Sequence, residues 1–458
     1  MFLAEDVPPV IDTGHTSWLL VSSALVLLMT PGLAFFYGGL NRSKSVLNMM
    51  MMSFSSIGLI SILWLFYGWA GAFGKDIPLN GSTAGFIGNF TDGHGHSYLG
   101  TNTYFDLFGY PNGFAGPNHS IPTYVIMVFQ MMFAIITVAL ISGGIADRAK
   151  FIGWLLFAAG WFTLAYVPIA HMVWGGGLLG TTIGEADFAG GSAVHINAGA
   201  AALALAIVLG RRVGWPRAAF KPHNVPFVAL GAGLLWFGWF GFNAGSEQTV
   251  DATTAVAFVN TQVATAGAML GWIIVEWIKG GKPSLVGASS GAVAGLVAIT
   301  PACAFVEPWS AALLGLVAGG LCCLAVALKY LLRADDSLDV FGVHFVGGWI
   351  GCLWIGLFAS AKSGWLFAPD GGVFHEGLFR GGGATQLIAQ LEGAAIVSAW
   401  SFVVALVLGY ALRLLGLFKA KETAQLEGLD AHEHQESAYE TFTPGESVGA
   451  GAHAAAGV

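Results

Sequence analysis

The sequence predicts an all-α integral membrane protein of eleven transmembrane helices, and three observations carry that reading. Of its 458 residues, 55% are hydrophobic and only 10% charged, whereas a soluble domain holds about 25% charged residues. Apolar runs of about 20 residues, the length needed to cross a bilayer, recur from residue 17 to residue 416. The 66 glycines suit the close helix contacts that hold helices together in lipid. Composition excludes a soluble enzyme. The net charge of −8 sits mostly in loops and tail and gives no basis for nucleic-acid binding.

In chain order, the first run is 17–40, followed by Arg42 and Lys44, and the second is 46–73. A polar segment, 74–121, with His94, His96 and His119, reads as a long external loop. The third run, 122–145, ends at Asp147-Arg148, and the fourth is 151–173. The fifth, 190–210, leads into Arg211, Arg212, Arg217 and Lys221. Runs six to ten are 226–244, 255–278, 284–304, 309–332 and 340–361, and the eleventh is 390–416. Residues 1–416 form the membrane domain and 417–458 a cytoplasmic tail whose Gly/Ala-rich end reads as disordered. Placing the N-terminus outside puts all of the 18 Lys and Arg on the cytoplasmic side except Lys75, Lys362 and Arg380. The positive-inside rule therefore gives N-out and C-in. The N-terminus has acids and no basic stretch ahead of its first apolar run, so no cleavable signal is read there. Cys303, Cys322, Cys323 and Cys352 lie in apolar runs and read as small buried hydrophobes.

Two histidines stand out. His195 lies in the fifth run shortly after Asp187, and His344 lies in the tenth run shortly after Asp339. Runs five apart point in opposite directions, which is how an inverted-topology repeat shows itself in sequence. Repeat one then covers about 17–210 and repeat two about 226–361, with the eleventh helix as an addition. At 1.5 Å per residue, His195 sits about 20 Å from the cytoplasmic end of its run. The two histidines meet only if both helices start inside the membrane thickness or tilt. An ionisable group in lipid must be paired, wet or functional; the plainer alternative is that each histidine satisfies a local carbonyl. Metal ligation lacks support, because no Cys or carboxylate stands at ligand spacing, and no cofactor is implied.

At these residues the chain resembles the ammonium transporter family (Amt/Mep, distantly Rh), with a bacterial Amt character. The likeness is carried by Pro31-Gly-Leu-Ala-Phe-Phe-Tyr-Gly-Gly-Leu40, Pro168-Ile-Ala-His-Met-Val-Trp-Gly-Gly-Gly177 and Asp187-Phe-Ala-Gly-Gly-Ser-Ala-Val-His-Ile-Asn197. Phe220-Lys-Pro-His-Asn224, Gly238-Trp-Phe-Gly-Phe-Asn-Ala-Gly-Ser246, Gly281-Lys-Pro-Ser284, Thr300-Pro-Ala-Cys303 and Asp339-Val-Phe-Gly-Val-His344 add to it. The resemblance implies a homotrimer with one narrow pore per protomer. It implies that His195 and His344 line that pore and that Phe133 and Phe242 form a stacked gate. Trp174, Phe133 and Ser246 match an external ammonium-recruiting site, supported by Asp187. Each of these residues also has a plainer reading: Trp174 as an interfacial aromatic and the phenylalanines as core.

The expected activity is passage of ammonium as ammonia, with a relayed proton, through the membrane of the cell. An indole face attracts a cation and a hydroxyl oxygen accepts an N–H, while an apolar lining makes carrying the bare charge costly. The rivals are an ammonium sensor with little flux, a gas channel of the Rh type, and an intramembrane metallohydrolase, for which no three-ligand site is visible. The tail residues Glu427-Gly-Leu-Asp430 and Glu436-Ser-Ala-Tyr439 resemble the family's regulatory tail but carry Gln435 where the family has glycine. The basic loops with Arg211, Arg212, Arg217, Lys221, Lys279 and Lys282, together with the tail, offer a docking face for a cytosolic regulator, which the resemblance implies is a PII-type signal protein, or else serve only to set topology.

Overall fold

The computed structural model describes residues 11–77, 84–90, 114–115, 121–218, 220–363 and 374–439. His94, His96, His119 and the tail from residue 440 lie outside the described residues. Among the described residues, ten helical segments are long and apolar enough to cross a membrane. They are α1 (Thr13–Leu40), α2 (Ser43–Phe73), α3 (Thr123–Ile145), α4 (Phe151–Ile183), α5 (Gly191–Leu209), α6 (Val225–Gly245) and α7 (Ala252–Ile278). After a shorter apolar helix of 15 residues, α8 (Leu285–Ile299), come α9 (Pro308–Leu331), α10 (Phe341–Phe358) and α11 (Thr385–Leu414).

The helix starts follow from the local sequence. Asp12, Asn224 and Ser284 each accept a hydrogen bond from a backbone N–H three residues on, and Asp251 forms a reciprocal cap with Thr254. These caps satisfy donors that the first turn leaves orphaned. All four cysteines are buried and unpaired with one another.

Two contacts position the centre of the molecule. Helix α1 runs against α6, where a Cβ on Gly231 would fall 2.3 Å from the Phe36 backbone nitrogen, so only glycine lets the backbones approach. Helices α5 and α10 cross reciprocally: each packs on the first turns of the other. A Cβ on Gly199 would meet the Phe345 backbone at 2.6 Å, and one on Gly348 would meet the Gly191 carbonyl at 2.9 Å. Each glycine lies four residues after a histidine and therefore on the same helix face.

The face that carries the tail is tied together by buried charge. Arg42 Nε lies 2.9 Å from Asp147 Oδ2, Arg212 reaches Asp147 at 3.6 Å, and Arg212 holds both oxygens of Asp335 at 2.8 and 2.9 Å. The guanidinium of Arg148 is buried and adds Ser337 and the Asp335 carbonyl. The tail begins with a short helix, α12 (Glu422–Glu427). Asp430 then accepts from the backbone N–H of Leu47 and Asn48, and Glu433 from that of Phe151. The tail thereby caps the starts of α2 and α4. Gln435 follows with φ 55°, the left-handed region that glycine favours.

Candidate functional site

A column of rings runs through the middle of the bundle. Starting from the face opposite the tail, Trp174 meets Phe133 edge-on with ring centroids 6.0 Å apart, and Phe133 stacks on Phe242 at 4.2 Å. Phe242 lies 6.2 Å from His195, and His195 lies 5.3 Å from His344. The two Nδ1 atoms are 3.3 Å apart, and both histidines are buried, at 1% and 2% exposure. All the ring residues singled out from sequence thus converge on one axis.

The depth problem is resolved by how α5 and α10 begin. Both helices start only a few residues before their histidines, in a largely buried wide turn over Gly191–Ile196 and Phe341–Phe345. A buried helix start must have its N–H groups satisfied. Asp187, 7% exposed, accepts from the backbone N–H of Gly190, Gly191, Ser192 and Ala193 and from the Ser192 hydroxyl, at 2.6–3.0 Å. Its counterpart on α10 is Asp336, which accepts from Val340 and Phe341 N–H at 3.1 and 2.8 Å. Asp339, the acid that the sequence shows shortly before His344, takes a left-handed φ of 63° and pairs with Lys329 at 2.6 Å. Asp336 precedes His344 by the same interval that separates Asp187 from His195, and that matched spacing was the missed signal.

Two cavities flank the column. One, of about 420 Å³, is lined by Phe133, Trp174, Asp187 and Ser246 on the face opposite the tail. The other, of about 140 Å³, includes His344, Tyr37 and Asp339. The Phe133–Phe242 stack separates the first cavity from the histidines. Trp174 donates its indole N–H to the Asp187 carbonyl at 2.8 Å, and Ser246 donates to the Phe242 carbonyl at 2.8 Å. What remains for a guest is the indole face and the serine oxygen lone pairs, an acceptor set suited to a small cation that carries N–H donors.

Sequence reasoning missed three neighbours. Trp239 stacks on His195 at 5.3 Å and donates to the Thr300 hydroxyl at 2.8 Å, which fixes the rear wall of the column. Its place three residues before Phe242, on the same face of α6, was the available signal. Glu185 and Glu247 line the outer cavity beside Asp187 and Ser246. Burial, and then the charge of Asp187, hold the Glu185 carboxyl well above its usual range. A loop carboxylate has no periodic signature, so neither acid was legible.

Comparisons with known proteins bear on the family and the fold. A model of the Ammonium Transporter Family matches residues 17–439. The ammonium transporter of Mycobacterium tuberculosis (strain H37Rv) is 49% identical over 456 residues, covering 95% of this chain and 92% of that protein. The crystal structure of Candida albicans Mep2 is similar with a TM-score of 0.77 and 36% identity, over 89% of this chain and 86% of that one. A structure described as a sensor Amt protein matches with a TM-score of 0.78 at 28% identity, over 92% and 98%. With nearly the whole chain matched in sequence and in fold, this multi-pass protein of the cell membrane belongs to the ammonium transporter family.

Proposed function

We propose that the protein transports ammonium inward, capturing it in the outer cavity and passing it to the histidine pair as ammonia. The observation that carries this reading is the buried His195–His344 pair directly behind the stacked Phe133–Phe242 rings. Trp174, Phe133 and Ser246 surround the cation, and Asp187 orients the helix start behind them. Carrying a bare charge past two phenyl rings is costly, so the proton leaves the cation before the neutral molecule crosses. Nδ1 facing Nδ1 makes one imidazole the donor and the other the acceptor, which suits a proton relay beside the moving ammonia. Eleven helices with N-out and C-in topology, two inverted repeats and a tail from residue 417 belong to the same reading. So do assembly as a homotrimer and a PII-type signal protein docking on the tail face.

The test is current on a solid-supported membrane carrying the protein. Ammonium is expected to evoke current in the wild type and none in the His195→Ala, His344→Ala double variant; undiminished selective current in that variant overturns the relay. A second reading, ammonium sensing with little flux, is favoured by the likeness to the sensor Amt structure. Negligible flux with retained ammonium binding selects it.

A further inference from the structure

The outer cavity holds a carboxyl for which the transport reading has no task. Glu247 directly follows Ser246 and lines the same cavity as Trp174 and Asp187. Its Oε2 is buried without a hydrogen-bond partner among the described residues. The neighbouring acid, Asp251, is committed elsewhere, accepting from Thr253 N–H, Thr254 N–H and the Thr249 hydroxyl at the start of α7. Asp251 is therefore structural, while Glu247 lines the cavity with its Oε2 left over.

We propose that Glu247 is a second cation-binding carboxyl of the outer cavity, one that makes the capture of the cation depend on external pH. The inference rests on the transport reading above and deepens it. Burial, then the charge of Asp251 and a hydrogen bond with it, push the Glu247 carboxyl up to about 8. Below that pH the group is neutral and offers only dipoles. Above it, a carboxylate stands beside the Ser246 oxygen and attracts the cation through a poorly hydrated space. The charged groups on surrounding elements are Asp187 and Glu185 on the same cavity wall and the His15–Asp12 pair, whose His15 accepts from Val250 N–H. Phe305 lines the cavity as well, and two residues further along the chain Glu307 pairs with Arg380. Among the described residues no cation lies within ion-pair distance of Glu247. Glu185 lines the same cavity but is only 1% exposed, whereas Glu247 is partly exposed, so Glu247 is the more accessible of the two to a guest.

The experiment uses the full-length protein in liposomes and radiolabelled methylammonium, which remains a cation over the whole range. External pH is varied from about 6.5 to about 9 at fixed internal pH, bracketing the raised carboxyl. The half-saturating concentration of the wild type is expected to fall about fivefold across that range, the effect of one added charge near the guest. Glu247→Gln is expected to flatten the profile at the low-pH value, and Glu247→Asp to keep a pH dependence. Elution of each variant as the wild-type assembly in detergent guards against misfolding. A Glu247→Gln profile that falls like the wild type overturns the inference while leaving transport intact. Absence of methylammonium uptake by the wild type at every pH overturns the transport reading, and the inference with it.

Discussion

The Nδ1 atoms of His195 and His344 face one another at 3.3 Å, and the line between them has room for one proton. One ring must carry its proton on Nδ1 and the other on Nε2. Nitrogen-15 NMR of the histidine-labelled protein is expected to give two distinct neutral tautomers for this pair. Two identical spectra, or two Nδ1–H rings, would sink the shared hydrogen bond.

The crossing of α5 and α10 brings those rings together and depends on Gly199. Gly199→Ala is expected to wedge Cβ against the Phe345 backbone, destabilise the protein by about 1–3 kcal/mol and cut transport at least as strongly as it cuts stability. Gly233→Ala, where a Cβ would meet nothing within 4 Å, is the control and is expected to be neutral. Melting temperature and flux measured on both variants decide the matter.

Asp187 accepts five hydrogen bonds and Asp336 two. Asp187→Asn keeps one oxygen but turns an N–H donor toward N–H donors, at a cost of about 2–4 kcal/mol. Asp336→Asn is expected to cost less. Equal losses in thermal unfolding would show that the carboxylates do not act through the helix starts.

Removal of Arg212 strips the partner from Asp335 and a contact from Asp147. A buried pair broken on one side costs about 3–5 kcal/mol. Burial alone would raise the Asp335 carboxyl, but its hydrogen bonds to Arg212 and the charges of Arg148 and Arg212 outweigh it and hold it below its usual value. For a depressed carboxyl the stabilisation is complete above the unfolded value, about 3.9, and is lost as pH falls through the folded one. Acid unfolding of the wild type is therefore expected to steepen below about pH 4, and Asp335→Asn to remove that part of the curve.

Gln435→Gly is expected to secure the tail rather than loosen it, because glycine adopts φ 55° without the penalty of about 1 kcal/mol that a side chain incurs there. Limited proteolysis reads this directly: slower cleavage after residue 421 supports it, and faster cleavage overturns it.

Much of this was legible from the chain alone. Runs of apolar residues marked the helices to within about five positions, except that the fourth continues to Ile183 where its run stopped at 173. The rings of His195, His344, Phe133, Phe242 and Trp174 stand in contact. Hydropathy reports length and not hydrogen bonding, so the buried starts of α5 and α10 were hidden: each depends on a carboxylate bonded to backbone N–H groups. For the same reason the sequence drew attention to Asp339, the nearer acid, and not to Asp336, which holds the helix start. Glu185 and Glu247 were missed because only folding places these loop carboxyls against a shared cavity.

The buried cluster of Arg42, Asp147, Arg148, Arg212 and Asp335 joins turns that follow α1, α3, α5 and α9. A rocking, alternating-access cycle would have to part these turns and break buried pairs at about 3–5 kcal/mol each. The bundle is riveted at that end. Under the proposed transport reading that end is a fixed point, and whatever movement accompanies passage falls on groups away from these turns.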